Sequence, residues 1–199
     1  MPVLQHNNQL LIVRISLSPS EVPFLLARHR QEYEDAVEIE QLGAQLLATD
    51  FPPDISLDFL ERVHRWGKAY RNLTRVSQTG GVKIACTLRV ARDLIAAGAV
   101  PDAVEEIREL PRIGLSFASK AARFLAPEKC VVLDSVIRGR LGYGETRDAY
   151  ADFLQDCHQL LEMLKTSQEL DSSLRAKLRV CDVEAAIFMK AKENKNVSP

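Results

Sequence analysis

The sequence has few cysteines, no long apolar run and almost no net charge, and the first two of these exclude classes of protein. Its four cysteines lie far apart, no Cys-x-x-Cys occurs, and the one adjacent Cys/His pair, Cys157 and His158, has no second such pair near it in the sequence. This spacing excludes a disulfide framework, an iron–sulfur cluster and a structural zinc site. We expect reduced, mostly buried thiols at the following positions: Cys86, Cys130, Cys157 and Cys181.

No apolar run approaches the roughly 18 residues that a membrane-spanning helix needs. The start, MPVLQHNNQLLIVRIS, has no basic segment and no small-residue cleavage site, unlike a signal peptide. We therefore expect a cytoplasmic protein without membrane contact. A length of 199 residues with 46% hydrophobic residues is typical of one globular domain, with or without an appended arm.

The net charge of −1 conceals an uneven distribution. Residues 1–60 carry 3 basic and 9 acidic residues, and residues 148–199 carry 7 and 9. The middle, residues 61–147, carries 16 basic and 9 acidic residues, a net charge of +7. A basic segment between acidic ends indicates a polyanion site, although solvated helix faces would give the same count.

Apolar residues recur at helical spacing along most of the chain, which predicts an all-α fold of about eight helices. One segment, QLLIVRISL at 9–17, is strand-like, and a single strand makes no sheet. Ser56 is the expected N-cap of one helix. We divide the chain into an acidic N-terminal segment packed on the domain, the main domain and a flexible tail, at 1–50, 51–192 and 193–199. The clearest helical patterns cover 33–48, 57–76, 82–98, 145–166 and 172–192.

The helix predicted at 57–76 has two faces of interest. Trp66 and Tyr70 lie one turn apart and could stack on a base, but an apolar stripe is more often core. The other face carries cations that either follow a DNA backbone or face solvent: Arg62, Arg65, Lys68, Arg71 and Arg75.

The segment LPRIG at 110–114 separates two predicted helices. Pro111 restricts the residue before it to extended geometry, and Gly114 allows close backbone approach. The helix that begins at Leu115 or Ser116 presents free N–H groups and a positive dipole end, which can bind an anion such as a DNA phosphate. An ordinary helix–helix turn would show the same pattern.

Asp134 follows an apolar run in VVLDSVI, at the start of another predicted helix. It can act as the N-cap of that helix, or as a carboxylate held beside a reaction centre by apolar surroundings. The two interpretations are compatible, because a capping side chain is also an oriented one.

Taken together, LPRIG, FASKAARFL and VVLDSVI resemble the helix-hairpin-helix superfamily of DNA glycosylases, in particular its 8-oxoguanine glycosylase fold. The family pattern is Leu-Pro-Gly-Val/Ile-Gly, a helix rich in small residues, and then an Asp. SKAARFLAPEKCVVLDS and LRVCDVEAAIF resemble a bacterial subgroup. The resemblance covers 105–140 most clearly and implies a helix-hairpin-helix fold for the main domain. It also implies double-stranded DNA with a damaged base as the partner, and no metal or small-molecule cofactor.

The resemblance implies roles for individual residues. Asp134 takes the position of the carboxylate that assists departure of a flipped oxidised purine, so the reaction is hydrolysis of the N-glycosidic bond. Asp182 and Glu184 lie on the helix that closes the pocket in the family. The residues expected to bind DNA are Arg112, Ile113, Gly114, Ser116, Phe117 and Arg138.

Two residues depart from the family pattern. Ser116 stands two residues after the second hairpin glycine, where bifunctional members carry the lysine that forms a Schiff base and cuts the strand. This indicates a monofunctional enzyme that uses water. Lys120, one turn further on, is a second candidate for the catalytic amine, with a phosphate or solvent contact as the alternative. Arg112 replaces the first hairpin glycine and adds a cation.

Two other functions fit the same sequence. A helix-hairpin-helix module that binds DNA without catalysis could lack the lysine and one hairpin glycine. Alternatively, the acidic N-terminal segment could dock a protein partner.

Overall fold

The computed structural model describes residues 4–6, 9–12, 15–70 and 73–193. The chain is mostly helical, as predicted, although the described residues form eleven α-helices rather than about eight. None of the described helices is long and apolar enough to cross a membrane. The helices are α1 (Val22–Glu32), α2 (Ala36–Ala48), α3 (Pro53–Trp66), α4 (Leu73–Thr79), α5 (Gly81–Ala96), α6 (Val100–Arg108), α7 (Leu115–Leu125), α8 (Ser135–Leu141), α9 (Arg147–Thr166), α10 (Ser172–Lys177) and α11 (Val180–Glu193).

The described residues divide into two compact units. Those up to Glu32 and from Leu133 onward form the first unit, and Tyr33–Val132 forms the second. The predicted division at residue 51 stays a prediction, and most of the predicted tail lies outside the described residues.

The first unit opens with a three-stranded antiparallel sheet of β1 (Leu4–His6), β2 (Gln9–Ile12) and β3 (Ile15–Leu17). The prediction that the strand-like segment makes no sheet is therefore wrong. That segment folds back on itself, so that Leu10 pairs with Leu17, and β1 adds the third strand. The mistake arose because a short hairpin can lie within one apolar run that reads as a single strand.

Helix α11 is the centre of the first unit and packs against α1, α8, α9 and β3. The single helix predicted at 172–192 is two helices, because each has its own N-terminal signal. Asp171 accepts a hydrogen bond from the amide of Ser173 at the start of α10. Asp182 accepts one from the amide of Arg179, just before α11.

In the second unit, α3 packs against α5, and α6 packs against α7. Helix α3 begins at Pro53, since proline fits the first turn of a helix. Ser56 therefore lies inside the helix, buried, and the prediction that it is the N-cap is wrong. The helix predicted at 57–76 ends at Trp66, because Lys68 adopts a left-handed conformation with φ of 59°.

Helices α2 and α7 approach each other closely in the second unit. A Cβ atom at Gly43 would lie 2.3 Å from the backbone oxygen of Phe124, so only glycine fits there. Beside this contact, Arg123 and Glu40 form an ion pair of 2.7 Å, with the guanidinium buried. The position of α7 is therefore fixed by α2 on one side and by α6 on the other.

Candidate nucleic-acid interface

The turn between α6 and α7 forms a helical hairpin whose corner is exposed. Leu110 and Ile113 are buried, and the amide of Ile113 donates to the carbonyl of Leu110 at 3.1 Å. Pro111, Arg112 and Gly114 are exposed. Helix α7 begins at Leu115, where the sequence predicted it. The two apolar anchors thus hold a turn that presents its polar corner to solvent.

Arg112 adopts a left-handed backbone conformation, with φ of 66°. This region favours glycine and costs other residues roughly 1–2 kcal/mol. The family pattern has its first hairpin glycine at this position, and the sequence has arginine instead. An arginine therefore occupies a backbone conformation that favours glycine.

The N-terminus of α7 has no side-chain cap. Gly114 is extended, and its carbonyl accepts hydrogen bonds of 3.0 Å from the amides of Phe117 and Ala118. Within the described part of the chain, the amides of Leu115 and Ser116 donate no hydrogen bond. Ser116 is half-buried, so its amide can meet an outside acceptor at the positive end of the helix dipole, whereas Leu115 is fully buried.

Lys120 is buried one turn beyond this terminus, with only 6% of its surface exposed. Its Nζ donates to Ser116 Oγ at 2.9 Å and lies 5.3 Å from the centroid of the Phe117 ring. Because Lys120 is buried, the alternative in which its side chain contacts solvent is not favoured. Lys120, Ser116 and Phe117 form one cluster in the first two turns of α7.

Two residues that the sequence analysis did not single out hold this cluster. The ring of His64 stacks on Phe117 with centroids 4.5 Å apart. A Cβ atom at Gly67 would lie 2.6 Å from Phe117 Cε1 and 3.3 Å from Lys120 Cδ. His64 falls on the apolar stripe of α3, one turn after Leu60, and that spacing was the available signal.

His64 is fully buried. Burial lowers the pKa of the His64 ring below its usual 6.5. The hydrogen bond to the Leu60 carbonyl raises this pKa, whereas the positive charge of Lys120 lowers it further. Its Nδ1 lies 2.8 Å from the Leu60 carbonyl, and its Nε2 has no partner among the described residues. The ring is therefore neutral near pH 7.

Asp134 belongs to the first unit, where it caps α8. Its Oδ1 accepts hydrogen bonds from the amides of Val136 at 2.9 Å and Ile137 at 3.1 Å. The carboxylate is half-buried and follows a buried run, as the sequence indicated. Arg138, on the same helix, is ion-paired with Glu145 at 2.6 Å.

The other cations predicted to follow DNA are less available. Arg62 and Arg65 are ion-paired with Asp58 and Glu61, one turn away on α3. Lys68 and Arg75 are exposed, and Arg71 lies outside the described residues. These pairs weaken the prediction that this face follows a DNA backbone.

The two aromatic residues of that segment differ in their environment. Trp66 is half-buried and packs against Tyr33 and Phe124, with ring centroids 5.4 Å and 4.9 Å away, so it lies at the edge of the core. Tyr70 is 63% exposed, so the prediction of a core position is wrong for it.

Comparison with family models, with curated proteins and with solved structures finds no match to this chain. The described residues contain no group of three or more His, Cys, Asp or Glu side chains that could hold a metal ion. None of the four cysteines forms a disulfide, and Cys130, Cys157 and Cys181 are buried. The function therefore has to be argued from the hairpin, the Lys120 cluster and Asp134.

Proposed function

We propose that this protein is a cytoplasmic DNA glycosylase of the helix-hairpin-helix superfamily. It would hydrolyse the N-glycosidic bond of a flipped oxidised purine of the 8-oxoguanine type, without a small-molecule cofactor. The observation that supports this most is the left-handed backbone of Arg112. The glycine-type conformation occurs at the position where the family pattern carries glycine, and this supports the proposal.

The hairpin provides the grip on the DNA backbone in this proposal. A phosphate oxygen accepts a hydrogen bond from the amide of the half-buried Ser116, and the helix dipole adds attraction. The exposed side chain of Arg112 supplies a cation at the same corner. Ile113 serves as the buried anchor of the turn rather than as a direct contact.

Asp134 supplies the catalytic carboxylate. Positive charge develops on the sugar as the base leaves, and a fixed negative group stabilises it. The two amides bonded to Oδ1 fix the orientation of the carboxylate. Water then adds to the sugar carbon, because Ser116 stands at the lysine position of bifunctional members.

The test uses a labelled duplex with one 8-oxoguanine, incubated with the wild type and with Asp134→Asn. We expect strand breaks only after alkali, and a loss of at least about 100-fold in base release for Asp134→Asn. Asparagine is also a good N-cap, so this variant removes the charge and keeps the helix start. The matched control is Asp171→Asn, which changes the capping aspartate of α10.

Lys120 gives the experiment a second arm, with borohydride trapping. A trapped adduct that disappears in Lys120→Met, with strand breaks before alkali, would make the protein a lyase and overturn the monofunctional assignment. Base release that is equally fast in Asp134→Asn would overturn the role of Asp134.

A DNA-binding module without catalysis is the second candidate. The observation that favours it is the capping by Asp134, which accounts for this residue without any chemistry. It predicts that wild type and Asp134→Asn bind duplex DNA equally and release no base from any lesion in a panel. Binding with base release would exclude it.

A further inference from the structure

A cavity of about 340 Å³ lies in the first unit, at the carboxyl end of α9. This volume is at the lower end of the range found for small-molecule sites. Every residue that lines the cavity belongs to the first unit, so its shape does not depend on the second. The lining includes one residue of β2, one that follows β3, and several from the end of α9 and the turn after it: Leu10, Pro19, Met163, Thr166, Ser167 and Glu169.

One side of the cavity is apolar. Leu10 is only 2% exposed and Pro19 is buried, while Met163 is half-buried. Leu10 is fixed by its place in the sheet, where it pairs with Leu17 of β3. The thioether of methionine makes favourable contacts with aromatic rings. This side is therefore suited to the apolar body of a small ligand.

The opposite side is formed by the turn that ends α9, and it carries hydrogen-bond acceptors. Thr166 Oγ1 donates to the Met163 carbonyl at 3.0 Å. Ser167 Oγ accepts a hydrogen bond of 3.2 Å from the amide of Glu169. A hydroxyl oxygen has two lone pairs, so each of these groups can accept a further hydrogen bond from a ligand.

The charge on this side is negative. Among the lining residues that the structure describes, Glu169 is acidic and none is basic. Its exposed carboxylate forms no ion pair with any described residue. It follows the last turn of the 20-residue helix α9, where the helix dipole is negative and favours cations. Lys165 of that turn does not line the cavity and is ion-paired with Glu162 at 3.7 Å.

We propose that this cavity binds a small primary amine, at a site separate from the hairpin and from Asp134. The ammonium group of such a ligand has three N–H donors, which meet the Glu169 carboxylate and the hydroxyl oxygens of Thr166 and Ser167. Its apolar body packs on Met163 and on the buried residues behind it. A carboxylate ligand of the same size is disfavoured, because its charge would face Glu169.

The test is a two-dimensional amide NMR titration of the full-length protein with phenethylamine. We expect saturable shifts at the amides of Ser167 and Glu169, and binding at least about 10-fold weaker for 3-phenylpropanoate, an anion of similar size. Glu169→Gln should weaken phenethylamine binding at least about 10-fold, since it removes a charge-assisted hydrogen bond. Glu162→Gln is the matched control, because it removes an acidic charge from α9 outside the cavity and should leave the affinity unchanged.

A second variant, Met163→Trp, fills the cavity and should abolish binding. No saturable shift with phenethylamine would overturn the proposal, as would equal affinity for the amine and the anion, or an unchanged affinity in Glu169→Gln. If Met163→Trp does not fold, Glu169→Gln still decides, since the exposed Glu169 side chain supports no contact of the fold. DNA is absent from the titration, so its outcome is independent of the glycosylase proposal.

Discussion

Helices α7 and α8 begin in opposite ways. The first turn of α7 has no side-chain cap, and the amides of Leu115 and Ser116 make no hydrogen bond within the described residues. At the first turn of α8, Asp134 accepts hydrogen bonds from the amides of Val136 and Ile137. The first turn of α7 therefore leaves the amide of the half-buried Ser116 without an acceptor of its own, whereas α8 uses its own carboxylate.

The difference separates the two roles that the sequence pattern suggested. An uncapped N-terminus is suited to hold an anion, while a capped one holds its own carboxylate in a fixed direction.

The largest effect is expected from a substitution that disrupts the packing of α2 against α7. Gly43→Ala places a Cβ atom against the backbone of Phe124, so we expect a loss of about 3 kcal/mol in the free energy of unfolding. The control is Gly139→Ala in α8, where a Cβ atom meets nothing within 4 Å. That change should stabilise by about 0.5–1 kcal/mol. Urea denaturation measures both, and equal stability of the two variants would contradict the packing account.

Gly114→Asp would make α7 resemble α8. An extended residue can act as an N-cap, and the new carboxylate would take the open donors and repel phosphate. We expect DNA affinity to fall at least about 10-fold, or about 1.4 kcal/mol, as measured by fluorescence anisotropy. Gly144→Asp adds the same charge in an exposed loop and should change affinity far less. Equal losses in both variants would mean that net charge alone is responsible.

Arg112→Gly relieves the strain of the hairpin corner and removes a cation. We expect a gain of about 1 kcal/mol in stability, since glycine adopts positive φ freely. The slope of log Kd against log salt concentration should fall by about 1, the amount that one phosphate contact contributes. Arg112→Lys keeps both charge and strain and should change neither quantity. A destabilised glycine variant would contradict the strained turn.

The smallest effect is the response of the His64 support to acid. Because its pKa is lowered in the folded protein, the unfolded chain binds the proton first as the pH falls below 6.5. Stability from this group is therefore full above pH 6.5 and declines below it, by less than about 1 kcal/mol near pH 6. His64→Phe keeps the stacking and should lack this decline. Urea denaturation at several pH values measures the difference, and identical pH profiles would contradict the assignment.

The sequence predicted the start of α7, the position of Asp134 and the buried thiols, because each follows from local signals. It missed the break after Trp66 and the division between α10 and α11, where apolar spacing continues across the boundary. It also missed the contacts of His64 and Gly67 with α7, since the spacing along α3 indicates that His64 is buried but not which residues it contacts. The sequence indicated that Ser116 and Lys120 lie one helical turn apart on the same face, but it did not indicate that Lys120 is buried.

The most direct test of the open terminus is a two-dimensional amide NMR titration with a short DNA duplex. The account predicts that the amide signals of Leu115 and Ser116 shift with added duplex, while those of Val136 and Ile137 stay in place. Shifts at Val136 and Ile137 equal to those at Leu115 and Ser116, or no shift at α7 when DNA is bound, would contradict it.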